Sequence, residues 1–189
     1  MTLALARPFT VEQFLAWEQR QELRHEFDGI RTIAMTGGTG AHMFIQAGLL
    51  LALGTRLRGK PCRPGGEFKI RMAESVRYPD AVVVCTPVPP AATFITDPVV
   101  IFEILSKSTG GDDLGKKRLE YQNIPSLQRY IVLAQSHRTA HVFYRNEDKW
   151  EVELYQGEAA ILKMPEIAIE LPLAEVYEDI VLESELAAG

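Results

Sequence analysis

PVVIFEILSKST, residues 98–109, reads as a buried β-strand interrupted by one charge. Val99, Val100, Ile101, Phe102, Ile104 and Leu105 form a near-continuous apolar run, the pattern of a strand covered on both faces. Glu103 stands in the middle of it, where an ionised carboxylate is costly unless something pairs with it. RYPDAVVVC, residues 77–85, poses the same question, because Asp80 opens a second buried run. If the two strands are sheet neighbours, their carboxylates converge near one sheet face. Paired carboxylates hold a hard cation through oxygen, share a proton, or act as acid and base on a glycoside. A cation offsets both buried charges at once and answers the question best. The plainer alternative is that each acid pairs with its own Arg or Lys. The glycoside reading ranks low, having no cluster of sugar-binding aromatics behind it.

Working outward, Thr10 begins T-V-E-Q, a capping-box pattern, and Val11, Phe14 and Leu15 support a short amphipathic helix to about residue 20. HEFDGIRTIAM (25–35) reads as a hairpin with Asp28-Gly29 as a two-residue turn. TGGTG (36–40) is a loop feeding AHMFIQAGLLLALGTRLR, a core helix of about four to five turns. KPCRPGGEFKIRM gives a loop and then a strand. DDLGKKRLEYQNI has helical spacing, with Asp112 or Asp113 placed to cap it. RYIVLA is a further apolar strand, and HRTAHVFYRNEDKWEVELYQ alternates around an N-E-D turn as a hairpin. The remainder predicts a short strand and a closing helix. The central order is helix, strand, strand, strand, helix, strand, an α/β architecture with helices on a mixed sheet. With neither a repeat nor an internal linker, residues 1–189 are expected to form one domain.

No apolar run approaches the roughly 20 residues that span a bilayer, and MTLALARPF lacks the pattern of a signal peptide. Cys62 and Cys85 make no disulfide framework and neither has a C-x-x-C partner, so a reducing cytoplasmic compartment is expected. Residues 1–146 hold 18 Lys/Arg against 13 Asp/Glu, whereas the extension 147–189 holds 2 against 12. Within the first part, residues 56–77 carry seven basic side chains and two acidic ones. Such a patch permits a polyanionic partner, but a solvated face or one shielded by the acidic tail fits equally.

The ordered set of motifs resembles the PD-(D/E)XK nuclease superfamily and, more narrowly, the bacterial Uma-two family of putative restriction endonucleases. The matching residues run from about 23 to 146: H-E-F-D-G (25–29), His42, Y-P-D-A-V-V-V (78–84) and E-I-L-S-K-S-T (103–109). D-D-L-G-K-K-R-L-E-Y (112–121) and I-P-S-L-Q-R-Y-I-V-L (124–133) follow. The resemblance implies a restriction-endonuclease-like core with an added N-terminal helix and hairpin and a C-terminal hairpin. It implies Mg2+, with Mn2+ as a substitute, held by Asp80, Glu103 and the Ile104 carbonyl.

In the superfamily a lysine lies two residues beyond the acid. Leu105 occupies that position and can neither activate water nor stabilise charge. The family's migrated lysine from the following helix is matched by Lys117. Lys107 shares a strand face with Glu103 and Leu105, but stands roughly 7 Å beyond Leu105, better placed for a phosphate. Glu26 is read as a further acid near the metal, or as a hairpin residue paired with Arg24 or Arg31. His42, at a helix start behind an amide-rich loop, is a candidate phosphate contact or a packing residue. The implied activity is Mg2+-dependent hydrolysis of DNA phosphodiester bonds by a homodimer, since cutting both strands calls for two sites. The alternative is a catalytically degenerate nucleic-acid-binding or protein-interaction module, suggested by Leu105 and the acidic tail.

Overall fold

The computed structural model describes residues 9–35, 37–105, 111 and 113–182. Helix α1 (Val11–Glu18) starts at Thr10, whose hydroxyl accepts the Gln13 N–H while the Gln13 side chain accepts from the Thr10 N–H. The capping box therefore forms as the sequence predicts. Strands β1 (His25–Phe27) and β2 (Thr32–Ala34) pair antiparallel. Their loop differs from expectation: Phe27 faces Thr32, so four residues turn the chain. The Asp28 carboxylate accepts the Ile30 and Arg31 N–H groups, and Gly29 takes a φ of 86°. An aspartate closing the turn with its own side chain replaces the tight two-residue turn.

Helix α2 (Gly40–Leu57) is capped by Thr39. The next stretch corrects the sequence reading. Arg63–Gly66, read as loop for its proline and glycines, is β3 and pairs antiparallel with β6 (Ala81–Val84). It lies at the edge of its sheet, where a proline is tolerated. The chain then leaves this sheet for β4 (Ile70–Arg71) and β5 (Val76–Arg77), which join β1 and β2 in a separate four-stranded sheet. The β3–β6 register sets Cys62 opposite Cys85, and the two form a disulfide. The expectation of an unpaired couple fails because it depended on a strand the composition disguised.

Strand β7 (Val100–Leu105) runs antiparallel to β6 and parallel to β8 (Arg129–Ala134). A π-helical turn, Asp113–Lys117, and helix α3 (Arg118–Gln122) connect them, in place of one regular helix. Of the two expected caps, Asp112 lies outside the described residues and Asp113 is the first residue of the π-helical turn. Strands β9 (Thr139–Asn146) and β10 (Lys149–Gln156) form the expected hairpin, completing a six-stranded sheet of order β10-β9-β8-β7-β6-β3. The acidic extension adds a strand beyond expectation: β11 (Ile161–Met164) pairs with β12 (Ile169–Pro172) before helix α4 (Leu173–Val176).

Alternation along β7 sends Val100, Phe102 and Ile104 to one face of the large sheet. There they meet Ile45, Leu49 and Leu53 of α2, with Leu171 and Leu173 beyond. Ile101 faces the other way, against Tyr121, Leu127 and Tyr130. Each fully buried side chain of this size stabilises by roughly 1.5–3 kcal/mol. A third cluster, Phe14, Phe27 and Val76, fastens α1 to the smaller sheet. By the same alternation Glu103 faces α3 rather than α2.

Candidate active site

Asp80 lies just ahead of β6 and at the level of Glu103, since Ala81 pairs with Phe102. Because β6 begins at Ala81, the Ile104 N–H lies past the last β6–β7 pair. The Asp80 carboxylate receives it at 2.6 Å, which fixes the acid beside the residue after Glu103. In a strand the N–H and C=O of one residue point to the same edge, so the Ile104 carbonyl is turned toward the Asp80 side. The other Asp80 oxygen is 3.0 Å from His42 Nε2. Helix α2 steers this acid twice, because Gln46 Nε2 donates to the Asp80 carbonyl at 2.8 Å. Gly38 makes room for the imidazole: a Cβ there would stand 3.1 Å from its ring.

Glu103 is only 3% exposed. Its Oε1 accepts the Tyr121 hydroxyl at 2.9 Å and Lys117 Nζ at 3.1 Å. Lys117 and Tyr121 are four residues apart, the spacing that brings two side chains to one face of a helix. Burial and the neighbouring carboxylates of Glu103 and Glu26 push the Tyr121 phenol well above its ordinary pKa, so it remains a proton donor. Leu105, two residues beyond Glu103, packs against the apolar cluster. Lys107 lies outside the described residues.

Glu26 reaches this cluster from the other sheet. Its Oε1 is 3.3 Å from Lys117 Nζ and accepts the Tyr78 N–H at 3.1 Å. Its Oε2 accepts from the fully buried Arg77 at 3.0 Å. The expected partners Arg24 and Arg31 turn elsewhere, to Glu67 and Asp28. Arg77 also makes two parallel bonds to Glu120, at 2.8 and 2.9 Å. Burial works against its charge, but Glu120 and Glu26 outweigh burial and raise its pKa. Arg77, Glu120 and Tyr121 were missed by sequence reasoning. Tyr121 had a signal in its spacing from Lys117; Arg77 lay one residue outside the Y-P-D motif.

Among the described residues no three His, Cys, Asp or Glu side chains form a metal-ligand cluster. Asp80, Glu103 and the Ile104 carbonyl offer hard oxygen donors, the kind that suits a cation such as Mg2+ or Mn2+. Most of the basic segment 56–77 is engaged internally. Arg56 bonds Glu175, Lys60 the Ala168 carbonyl, Lys69 Glu18 and Arg71 Glu12. Part of the acidic extension thus covers part of the basic patch. Among the described residues no helix is long and apolar enough to cross a membrane.

A mixed sheet flanked by helices is the restriction-endonuclease-like fold expected from the sequence. A crystal structure of a putative nuclease belonging to DUF820 from Anabaena variabilis shares this fold. The TM-score is 0.77 over 90% of this chain and 98% of that one, at 19% identity. The Uma2 family model, described as "Putative restriction endonuclease", matches residues 11–174, and the chain belongs to that family. The uncharacterised protein slr1290 of Synechocystis sp. is 31% identical over 171 residues, 88% of this chain and 90% of its own length. A second Synechocystis protein, sll1609, is 26% identical over 169 residues, 85% and 94% of the two chains.

Proposed function

We propose that the protein is a divalent-metal-dependent endonuclease that hydrolyses phosphodiester bonds of DNA. Family membership supports nuclease chemistry, and the observation that carries the finer reading is Lys117 Nζ at 3.1 Å from Glu103 Oε1. A buried lysine delivered from another element to the acid whose own motif lacks one is the arrangement a relocated catalytic lysine requires. Asp80, Glu103 and the Ile104 carbonyl would hold Mg2+ or Mn2+. Once bound, such a cation supplies Lewis-acid stabilisation of charge on a phosphoryl oxygen. The Lys117 ammonium stabilises negative charge developing on the phosphate. Tyr121 keeps Glu103 in orientation, and His42 does the same for Asp80 or contacts a phosphate beside the α2 N-terminus.

Cutting a duplex on both strands favours a homodimer with two such sites, and one domain of 1–189 suffices for each. The uncharged outer face of α2, where Met43, Phe44 and Leu51 are exposed, suits a symmetric contact.

The test is cleavage of supercoiled plasmid in Mg2+ or Mn2+. Nicking by the wild type, lost in Asp80→Asn, Glu103→Gln and Lys117→Met, is expected. A wild type inert in both cations, or a Lys117→Met protein as active as wild type, overturns the reading. The degenerate binding module has one specific observation in its favour: each acid has a basic neighbour, Lys117 for Glu103 and His42 for Asp80. Calorimetric titration with Mn2+ separates the two, since only the enzyme requires a site that Asp80→Asn removes.

A further inference from the structure

The hairpin β1–β2 meets two consecutive lysines of the π-helical turn. Lys116 Nζ is 2.8 Å from Asp28 Oδ2 and donates to the Asp28 carbonyl at 3.0 Å. Lys117 Nζ, one residue on, is 3.3 Å from Glu26 Oε1. The geometry points to the hairpin as the positioning device of the site lysine: Asp28 anchors Lys116, and Glu26, locked by Arg77, draws Lys117 onto Glu103. This rests on the reading of Lys117 given above. Asp28 and Glu26 become positioning residues, and Glu26 needs no role as an acid beside the metal.

Three features carry the inference. First, the two Asp28 oxygens have separate duties. Oδ1 closes its own turn through the Ile30 and Arg31 N–H groups, whereas Oδ2 faces Lys116 at 2.8 Å, with the exposed Arg31 guanidinium further off at 3.5 Å. The turn needs only the first, so the buried charge is in excess of what the hairpin requires. Second, the ties form a ring. Glu26 holds Arg77, Arg77 holds Glu120, and Glu120 is three residues along the same helical segment from Lys117, which returns to Glu26. A ring of largely buried ion pairs holds a long side chain by more than one contact. Third, the segment is wound as a π-turn, a feature found often at functional sites. Here it directs neighbouring lysines to different partners, one to the hairpin loop and one to strand β7.

Asp28→Asn isolates the positioning duty, since the amide oxygen still accepts the two turn N–H groups while the charge facing Lys116 is lost. The readout is amine acetylation followed by peptide mass spectrometry, run on the wild type, Asp28→Asn and Lys116→Met. Lys117 is 7% exposed and Lys69 5% exposed, so both are protected in the wild type and Lys69 serves as an internal control. Lys117 labelling is expected to rise several-fold in both variants, with Lys69 unchanged and the double variant no worse than either single one. In cleavage, kcat falls by about 10- to 100-fold at unchanged KM, the scale of a small misplacement at a site. Unchanged Lys117 labelling, or an equal rise at Lys69, overturns the inference. A labelling shift in a protein whose wild type cuts nothing sinks the nuclease reading and leaves the positioning intact.

Discussion

Lys69 and Lys117 are both buried lysines, and each pairs with a buried glutamate that also accepts a tyrosine hydroxyl. In the first triad the donors divide the carboxylate. Lys69 takes one oxygen of Glu18 at 2.7 Å, Tyr78 takes the other at 2.8 Å, and the ammonium stands 5.5 Å from the Tyr78 ring centre. In the second triad Lys117 and Tyr121 crowd the same oxygen of Glu103, and Lys117 is shared with Glu26. Asp80 lies beside the second triad, bonded to the amide next to Glu103. The same three residue types thus make a strut between α1 and the chain around β4 and β5 in one place, and a cluster in which two glutamates share one lysine in the other. Composition does not distinguish them; the distribution of donors and the neighbouring acid do.

The widest separation is expected from the lysines. Lys117→Met should reduce cleavage by about 10²- to 10³-fold, as removal of a charge-stabilising donor does. Its stability loss should be modest, because Arg77 still faces Glu26 and Tyr121 still faces Glu103. Lys69→Met should leave cleavage intact and cost about 3–5 kcal/mol, the usual result of breaking a buried pair. Denaturant melts and plasmid nicking, run on both proteins, read the contrast. Loss of cleavage in Lys69→Met at a temperature where it is folded would erase it.

The tyrosines sharpen the comparison at smaller amplitude. Tyr78→Phe removes a hydrogen bond to a charged acceptor and should cost about 1.5–3 kcal/mol with no change in kcat. Tyr121→Phe should cost a similar amount and also slow cleavage by about ten-fold, since Glu103 loses its orientation.

The smallest effect is on acid stability. Burial raises the Glu18 pKa, but hydrogen bonds from Lys69 and Tyr78 outweigh it and hold the carboxyl below its ordinary value. A depressed folded-state pKa gives stability that is full above the unfolded value of about 4.3 and is lost as pH falls through the folded one. Glu18→Gln should therefore flatten the fall of the urea midpoint below about pH 4. Asp28 obeys the same sign: burial opposes its charge, while Lys116 and the Arg31 and Ile30 N–H groups lower its pKa further. Asp28→Asn should flatten the same limb.

That Asp80 and Glu103 lie at one level of adjoining strands was legible in the sequence, because the strands carrying them are apolar enough to read directly, and Lys117 was singled out for the following helix that brings it to Glu103. Tyr121 was within reach of the same helical spacing. Arg77, Glu26 and Asp28 acquire partners at least 43 residues away, so their roles depend on how the small sheet docks. Local pattern holds no record of that docking. The β3 strand was hidden because R-P-G-G has neither alternation nor β-branched residues, and its place at a sheet edge makes them unnecessary. The disulfide was hidden with it, since only the β3–β6 register brings Cys62 to Cys85.

The most direct trial of the whole account is a crystal soaked in Mn2+ and examined by anomalous diffraction. A single peak within bonding distance of both the Asp80 and Glu103 carboxylates, with the Lys117 ammonium beside it, is the predicted result. A soaked crystal in which Glu103 keeps only Lys117 and Tyr121, and manganese collects elsewhere or nowhere, would show that the second triad is a strut like the first.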